Sequence, residues 1–251
     1  MEDKNPALTL AMKRHANGVH NVCSLGQWLD ACKELGIEAI DAELIGACWA
    51  GEIAAVGYGR YENEAPIENL KKLMIGIPIS DGSFMYRWDC CSSCDLKQEM
   101  GDSGRIKSAR GLSVCADDPR LCNILEQWPP FSEVRFWKRP WVNAVYESGW
   151  PVEFRVFVED SRVIGVSNYY PQRDLPESFV PVAQAAMDMT LPLTEKASAF
   201  TADWLLRLSD AKLVYLEGGP PHRTDGGAHM CCFEPGKIDG IALSNRNQGI
   251  A

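Results

Sequence analysis

The sequence predicts an α+β fold with mainly antiparallel sheets, on three observations. Val152 to Val158 alternates strictly. Val152, Phe154, Val156 and Val158 share one face, and Glu153, Arg155 and Phe157 share the other. The turn Glu159-Asp-Ser-Arg162 and the run Val163 to Ser167 complete a hairpin, and Asp203–Leu208 with Lys212–Leu216 reads as a second strand pair. Helical segments with their own start and stop signals accompany these strands. The chain has 251 residues and is 46% hydrophobic, enough for one large domain or two packed lobes.

Taken in order, residues 1–78 form an N-terminal mixed lobe. Ser24-Leu-Gly-Gln27 has the spacing of a capping box and starts a helix that runs to Leu35, with Gly36 as its C-cap. Leu25, Trp28, Leu29 and Cys32 lie on one face of it. Ile37–Ile40 reads as a short strand and residues 63–74 as an amphipathic helix. Residues 79–140 form a second segment. The turn Ser80-Asp-Gly-Ser83 precedes a strand from Phe84 to Trp88, and Asp95–Met100 is a helical turn. Leu112–Cys115 is a short strand, and Asp118 with Pro119 opens a helix that ends before Pro129. A strand from Glu133 to Trp137 follows. Residues 141–251 hold the hairpin, helices at about 177–189 and 192–199, and the final strand pair.

Composition narrows the function classes. The formal net charge of -9 disfavours non-specific binding to nucleic acid or to an anionic membrane. No run of 18 apolar residues is present, and the first residues lack a signal-peptide core, so a cytoplasmic protein is expected. Ten cysteines in such a chain read as reduced and mostly buried. Cys91-Ser-Ser-Cys94 has zinc-like spacing, yet no second pair completes a site. The familiar loops GxxxxGK[ST] and GxGxxG are absent, as are GxSxG and HExxH. Phosphate binding therefore falls to side-chain cations and carboxylate-held metal.

Two segments carry such groups. Glu153 and Arg155 point to one face of a strand, which is either a solvated outer face with a cross-strand pair or the floor of a binding cleft. Val214-Tyr-Leu-Glu217-Gly-Gly places a carboxylate at the end of an apolar strand before a Gly-rich break. Asp203 starts the preceding strand, and antiparallel pairing brings the two carboxylates together. One or two carboxylates plus phosphate oxygens and water suit Mg²⁺. Asn168, Tyr169, Tyr170, Gln172 and Arg173 read either as an acceptor lining or as an anchored loop. His222 and His229 flank a Gly-rich loop that is either a mobile lid or surface.

The order of these motifs resembles the ATP-grasp superfamily. It runs Tyr86-Arg87-Trp-Asp89, Ser92-Ser93, Lys97, Glu133-Val-Arg-Phe-Trp-Lys138, Glu153-Phe-Arg155-Val-Phe-Val, Asp203 and Val-Tyr-Leu-Glu217. The likeness covers roughly residues 80–220. It is to phage and bacterial ATP-grasp-domain proteins of unassigned substrate and, more distantly, to the ATP-grasp chaperone that assembles eukaryotic translation initiation factor two.

The resemblance implies an ATP-Mg²⁺ site in a cleft between two α+β lobes. Arg87 and Lys97 match the basic positions that contact phosphates, Lys97 lying two residues later than the usual pattern. Arg135, Phe136, Trp137 and Lys138 match the strand leading to the adenine hinge, with backbone reading the adenine edge and Phe136 or Trp137 packing on its face. Glu153 and Arg155 match the strand whose arginine faces the terminal phosphates, and Asp203 with Glu217 the metal carboxylates. Gly219 stands where the family usually has Asn. The implied activity is an ATP-dependent ligase that joins a carboxylate to an amine or similar nucleophile through an acyl phosphate, with Arg155 and Lys97 as charge-neutralising catalytic groups. The alternative is a non-catalytic ATP-binding assembly factor whose protein contact would use Tyr58, Tyr61 and the acidic stretch 62–68.

Overall fold

The computed structural model describes residues 18–57, 67–75, 77–92, 96, 104, 106–110, 112, 119–126, 128–222, 227–234 and 236–245. Tyr58, Tyr61, the stretch 62–66, Ser93, Lys97, Asp118 and Leu112–Cys115 beyond Leu112 lie outside the described residues. In chain order the elements are α1 (Leu25–Leu35), β1 (Glu43–Trp49), α2 (Ala50–Gly57), α3 (Glu68–Met74), β2 (Phe84–Trp88), α4 (Pro119–Leu125) and β3 (Glu133–Pro140). Then come the two-residue strands β4 (Tyr146–Glu147) and β5 (Trp150–Pro151), followed by β6 (Glu153–Glu159), β7 (Arg162–Asn168), α5 (Val180–Thr190), β8 (Phe200–Leu206), β9 (Leu213–Gly219) and β10 (Gly240–Ala242). The fold is α+β, and its main sheets are antiparallel apart from the parallel pairing of β10 with β7.

Contacts group the chain into two compact units. One holds Met1–Ala39, Ala144–Ser148 and Val152–Ala251; the other holds Ile40–Asn143 and Gly149–Pro151. Residues 18–39 pack with the C-terminal strands. Trp28 of α1 lies 4.5 Å from Phe200 of β8, centroid to centroid.

The first unit is built on a five-stranded sheet of order β10-β7-β6-β8-β9. The positive φ of Asp160 and Ser161 makes the tight β6–β7 turn that matches strand twist. One face of the sheet is apolar, with Val152, Phe154, Val156, Val158, Val166, Phe200, Trp204 and Tyr215 among its buried residues. Helices α1 and α5 cover that face through Trp28, Ala31, Cys32, Ala183 and Ala186. The two indoles buried here are satisfied as hydrogen-bond donors: Trp28 Nε1 donates to Val22 O and Trp204 Nε1 to Thr190 Oγ1, both at 2.9 Å.

Helix α1 starts and stops where the sequence predicts. Ser24 is extended and its side chain accepts from Gln27 N, and Gly36 closes the helix at φ 68°. The box is only half made, however. Gln27 Oε1 accepts from His20 N and Asn21 N instead of turning back to Ser24.

Two strand expectations change. Ile37–Ile40 is no strand but a single bridge, Ala39 to Tyr215. The strand in this region is β1, which the sequence does not announce because Leu44 and Ile45 are both exposed and Gly46 interrupts the pattern. The expected helix 192–199 is a single turn of 3-10 helix over Leu191–Glu195.

The second unit holds a three-stranded sheet of order β1-β3-β2. Its core is Val134, Phe136, Tyr86, Trp88, Cys48, Ile53, Leu70, Leu121 and Leu125. No helix among the described residues is long and apolar enough to cross a membrane.

Candidate functional site

Strand register builds the site. Arg155 on β6 pairs with Ser167 on β7 and with Asp203 on β8, and Asp203 pairs with Glu217 on β9. Register partners share a face, so Ser167, Arg155, Asp203 and Glu217 form one lateral row on the face opposite the apolar core. The sequence locates Arg155, Asp203 and Glu217, and the structure brings all three together. Glu153 lies on the same face, two residues before Arg155.

Glu217 reaches this row through a β-bulge. Trp204 pairs with Tyr215, but its neighbour Asp203 pairs with Glu217, leaving Leu216 as the extra residue. In a regular strand Tyr215 and Glu217 would share a face. Tyr215 is fully buried against Trp204, ring centroids 5.3 Å apart, so an unbulged strand would carry Glu217 toward the apolar core. The bulge re-aims the carboxylate. Nothing in the sequence announces it.

The face is polar but covered. Arg155 is 8% and Asp203 2% exposed, and the solvated outer face left open by the sequence is excluded. Arg155 Nε donates to Asp203 Oδ1 at 2.8 Å and Nη2 to Oδ2 at 2.7 Å, a bidentate pair. The Arg155 guanidinium lies 4.5 Å from the centroid of the Tyr169 ring. Its Nη1 donates to His229 O at 3.4 Å. Burial alone pulls the Arg155 pKa down. Asp203 and Tyr169 outweigh it and hold the guanidinium well above its ordinary range, so the charge is permanent.

Glu153 is 5% exposed and accepts from Tyr170 Oη at 2.8 Å. Burial, and then Glu153, push the Tyr170 phenol well up, so it stays a donor to that carboxylate. Asn168 fixes the turn by donating to Tyr170 O and Arg173 O. Of the two readings of residues 168–173, this network supplies the anchored loop: Tyr170 is a buried strut and Tyr169 a ring over Arg155.

The segment 229–233 lies over β6 and β7. Cys232 N donates to Ser167 Oγ at 2.9 Å, and the Phe233 ring meets Phe157 edge-on at 5.7 Å. Cys231 N donates to His229 Nδ1 at 2.9 Å. Burial, then Arg155, hold His229 below the usual imidazole range, which keeps Nδ1 free to accept. Burial pushes the Cys231 thiol up to about 12, far from a reactive thiolate.

Of the residues matched to the adenine and phosphate contacts, Arg87 and Arg135 to Lys138 lie in the three-stranded sheet. Phe136 is fully buried in the core, stacked on Tyr86 at 5.4 Å and 4.7 Å from Trp88, so it does not present a face to a base. Strand β3 is central, paired with β1 along Arg135 to Lys138 and with β2 along Phe136 to Pro140.

Arg87 and Trp137 are register partners on the opposite face of that sheet, both buried. Trp137 Nε1 donates to Asp89 Oδ1 at 2.8 Å, and Arg87 Nε donates to Trp88 O at 3.1 Å. Arg135 pairs with Glu133 at 2.8 Å, and Lys138 lies 4.6 Å from the Phe84 ring centroid. Lys97 lies outside the described residues.

Metal chemistry has a limited donor set. Among the described residues no group of three or more His, Cys, Asp or Glu is placed to hold a metal ion. The Asp203–Glu217 pair therefore does not fit a metal held by protein alone. Mg²⁺ takes one or two carboxylates and completes its shell with phosphate oxygens and water, a demand that Glu217 would meet first because both Asp203 oxygens accept from Arg155. Gly219, where an amide ligand would stand in the resembled family, faces Thr201, and a Cβ there would come within 2.8 Å of Thr201 Oγ1.

No protein-family model matches the chain. No curated protein matches it either. Solved structures do. Cdc123 from Schizosaccharomyces pombe superposes with a TM-score of 0.52 at 14% identity, covering 88% of this chain and 95% of that one. Its C-terminally truncated form gives 0.51 at 14% identity, with 89% and 95% covered. The ATP-grasp ligase PsnB, complexed with minimal precursor, Mg and ADP, gives 0.33 at 13% identity over 88% of this chain and 54% of that one, too loose to argue from. At this identity the likeness is one of fold: the chain folds as Cdc123 does.

Proposed function

We propose that this chain binds ATP with Mg²⁺ on the polar face of its five-stranded sheet and uses it as an ATP-grasp ligase, joining a carboxylate to an amine or similar nucleophile. The observation that carries the reading is the lateral row Arg155, Asp203 and Glu217, set side by side on three adjacent strands by register and by the bulge at Leu216. A buried guanidinium beside two carboxylates is a charge arrangement suited to a polyphosphate and its cation. Glu217 and Asp203 would hold the metal. Bound ATP supplies the phosphoryl group that activates a carboxylate. The chain's own part is to keep Arg155 charged and fixed: Asp203 orients the guanidinium from one side and Tyr169 covers its ring-facing surface. Such chemistry needs positioning and charge neutralisation more than a recognisable base.

A second reading, an assembly factor that binds ATP without turning it over, is favoured by two observations. Arg155 already donates to Asp203 and His229, and Gly219 stands where the resembled family has an amide. In either case the nucleotide raises the unfolding midpoint by mass action. The expected result is a thermal shift with ATP and Mg²⁺ together, none with Mg²⁺ alone, and loss of the Mg²⁺-dependent part in Glu217→Gln. An unchanged shift in that variant removes Glu217 from the metal site, and no shift at all in the wild type removes the nucleotide. Release of ADP and phosphate that rises with an added amine supports the ligase. Binding without release supports the assembly factor.

A further inference from the structure

The cation best placed to meet a polyphosphate is covered by the chain itself. The one donor of Arg155 not spent on Asp203 for which a contact is resolved, Nη1, goes to His229 O at 3.4 Å, a long bond to a neutral acceptor. Charged oxygens take such a donor more strongly than a carbonyl does. The covering segment packs as a small cluster apart from the main core, with Cys231, Cys232 and Phe233 buried beside Phe157 and Ala242. Cys232 N donates to Ser167 Oγ across to the sheet, and within the segment Cys231 N donates to the His229 ring. Cys231 adopts a left-handed φ of 56°, uncommon for a residue with a side chain, and the strap is followed by Gly236 at φ 74° with open space around it.

We propose that residues 229–233 form an autoinhibitory strap, which occupies the phosphate-facing donor of Arg155 and lifts when a nucleotide polyphosphate takes its place. The proposal rests on the nucleotide reading of the row. A strap that must lift lowers apparent affinity by the fraction of molecules already open. Loosening it therefore strengthens binding. The strap also buries two reporters, as Cys231 is 7% and Cys232 0% exposed, while Cys32 on the opposite face of the sheet is 1% exposed and serves as a control.

The experiment is timed maleimide labelling read by peptide mass, with thermal shift in parallel, on wild type, His229→Ala and Ser167→Ala. The expected result is that ATP with Mg²⁺ exposes Cys231 and Cys232 while Cys32 stays protected. His229→Ala keeps the backbone oxygen but removes the ring bond that holds the turn at Cys231, so both thiols label roughly two- to tenfold faster without nucleotide and ATP binding tightens by the same factor, as loss of one hydrogen bond predicts. Ser167→Ala does the same by releasing Cys232 N. A nucleotide shift with both thiols still protected overturns the strap and leaves the nucleotide site standing. No shift in wild type or in either variant overturns the site and the strap with it.

Discussion

At the residue scale the Arg155–Asp203 pair decides which substitutions can be interpreted. Two charges removed from water are tolerated because each satisfies the other in a bidentate contact. Removing one partner leaves the other buried and uncompensated. Asp203→Asn is expected to lower the unfolding free energy by about 3–5 kcal/mol. The double variant Arg155→Met with Asp203→Leu should lose less than the sum of the single changes, because it strands no charge. Urea unfolding of the four proteins measures this. Near-additive losses, or a cost below about 1 kcal/mol for Asp203→Asn, would mean that solvent reaches the pair. A defect in Asp203→Asn therefore mixes fold with function, whereas Glu217, half-buried at the bulge, tests the metal role separately.

At the element scale the close approach of α1 to β9 sets a second expectation. Gly218 faces the apolar layer, and a Cβ there would collide with the Trp28 indole, whose Nε1 is tied to Val22 O. Neither backbone nor ring has room to yield. Gly218→Ala is expected to cost about 2–3 kcal/mol through overpacking. At Gly36, which ends α1, an added Cβ would meet no atom within 4 Å, yet the residue holds φ 68°. Gly36→Ala should cost about 1 kcal/mol, from backbone conformation alone. Equal urea-unfolding losses for the two would refute the packing argument. The same elements mark what the sequence disclosed. Alternation in Val152–Val158 revealed β6 and its hairpin, and Ser24 with Gly36 revealed α1, because each is a local pattern. The burial of Arg155 was hidden, since the strap that covers it comes 74 residues later. The bulge at Leu216 was hidden too, as it arises only when β9 pairs with β8. Phe136 beside Trp137 gave no clue to which ring faces the core.

At the scale of the whole molecule the order of the motifs is legible in the sequence, while the two compact units are defined by contacts between segments far apart in the chain. The unit Ile40–Asn143 interrupts the other, and an insertion between packed elements leaves no linker or change in composition to mark it. Each unit has a core of its own: Phe136, Trp88, Leu121 and Leu125 in one; Phe154, Trp204, Tyr215 and Trp28 in the other. Separate cores permit separate opening, because local stability follows the apolar contacts that an opening must break. Phe136 is fully buried between Tyr86 and Trp88, so Phe136→Leu keeps much of its volume but loses the ring contacts. It is expected to cost about 1–2 kcal/mol, of the order of one aromatic contact pair. Native-state hydrogen exchange assigns that loss to a unit. Amides of β1, β2 and β3 should exchange roughly five- to thirtyfold faster, as that energy implies, while those of β6, β8 and β9 keep their wild-type rates. Acceleration spread equally over both sheets would mean that the two cores open as one cooperative unit.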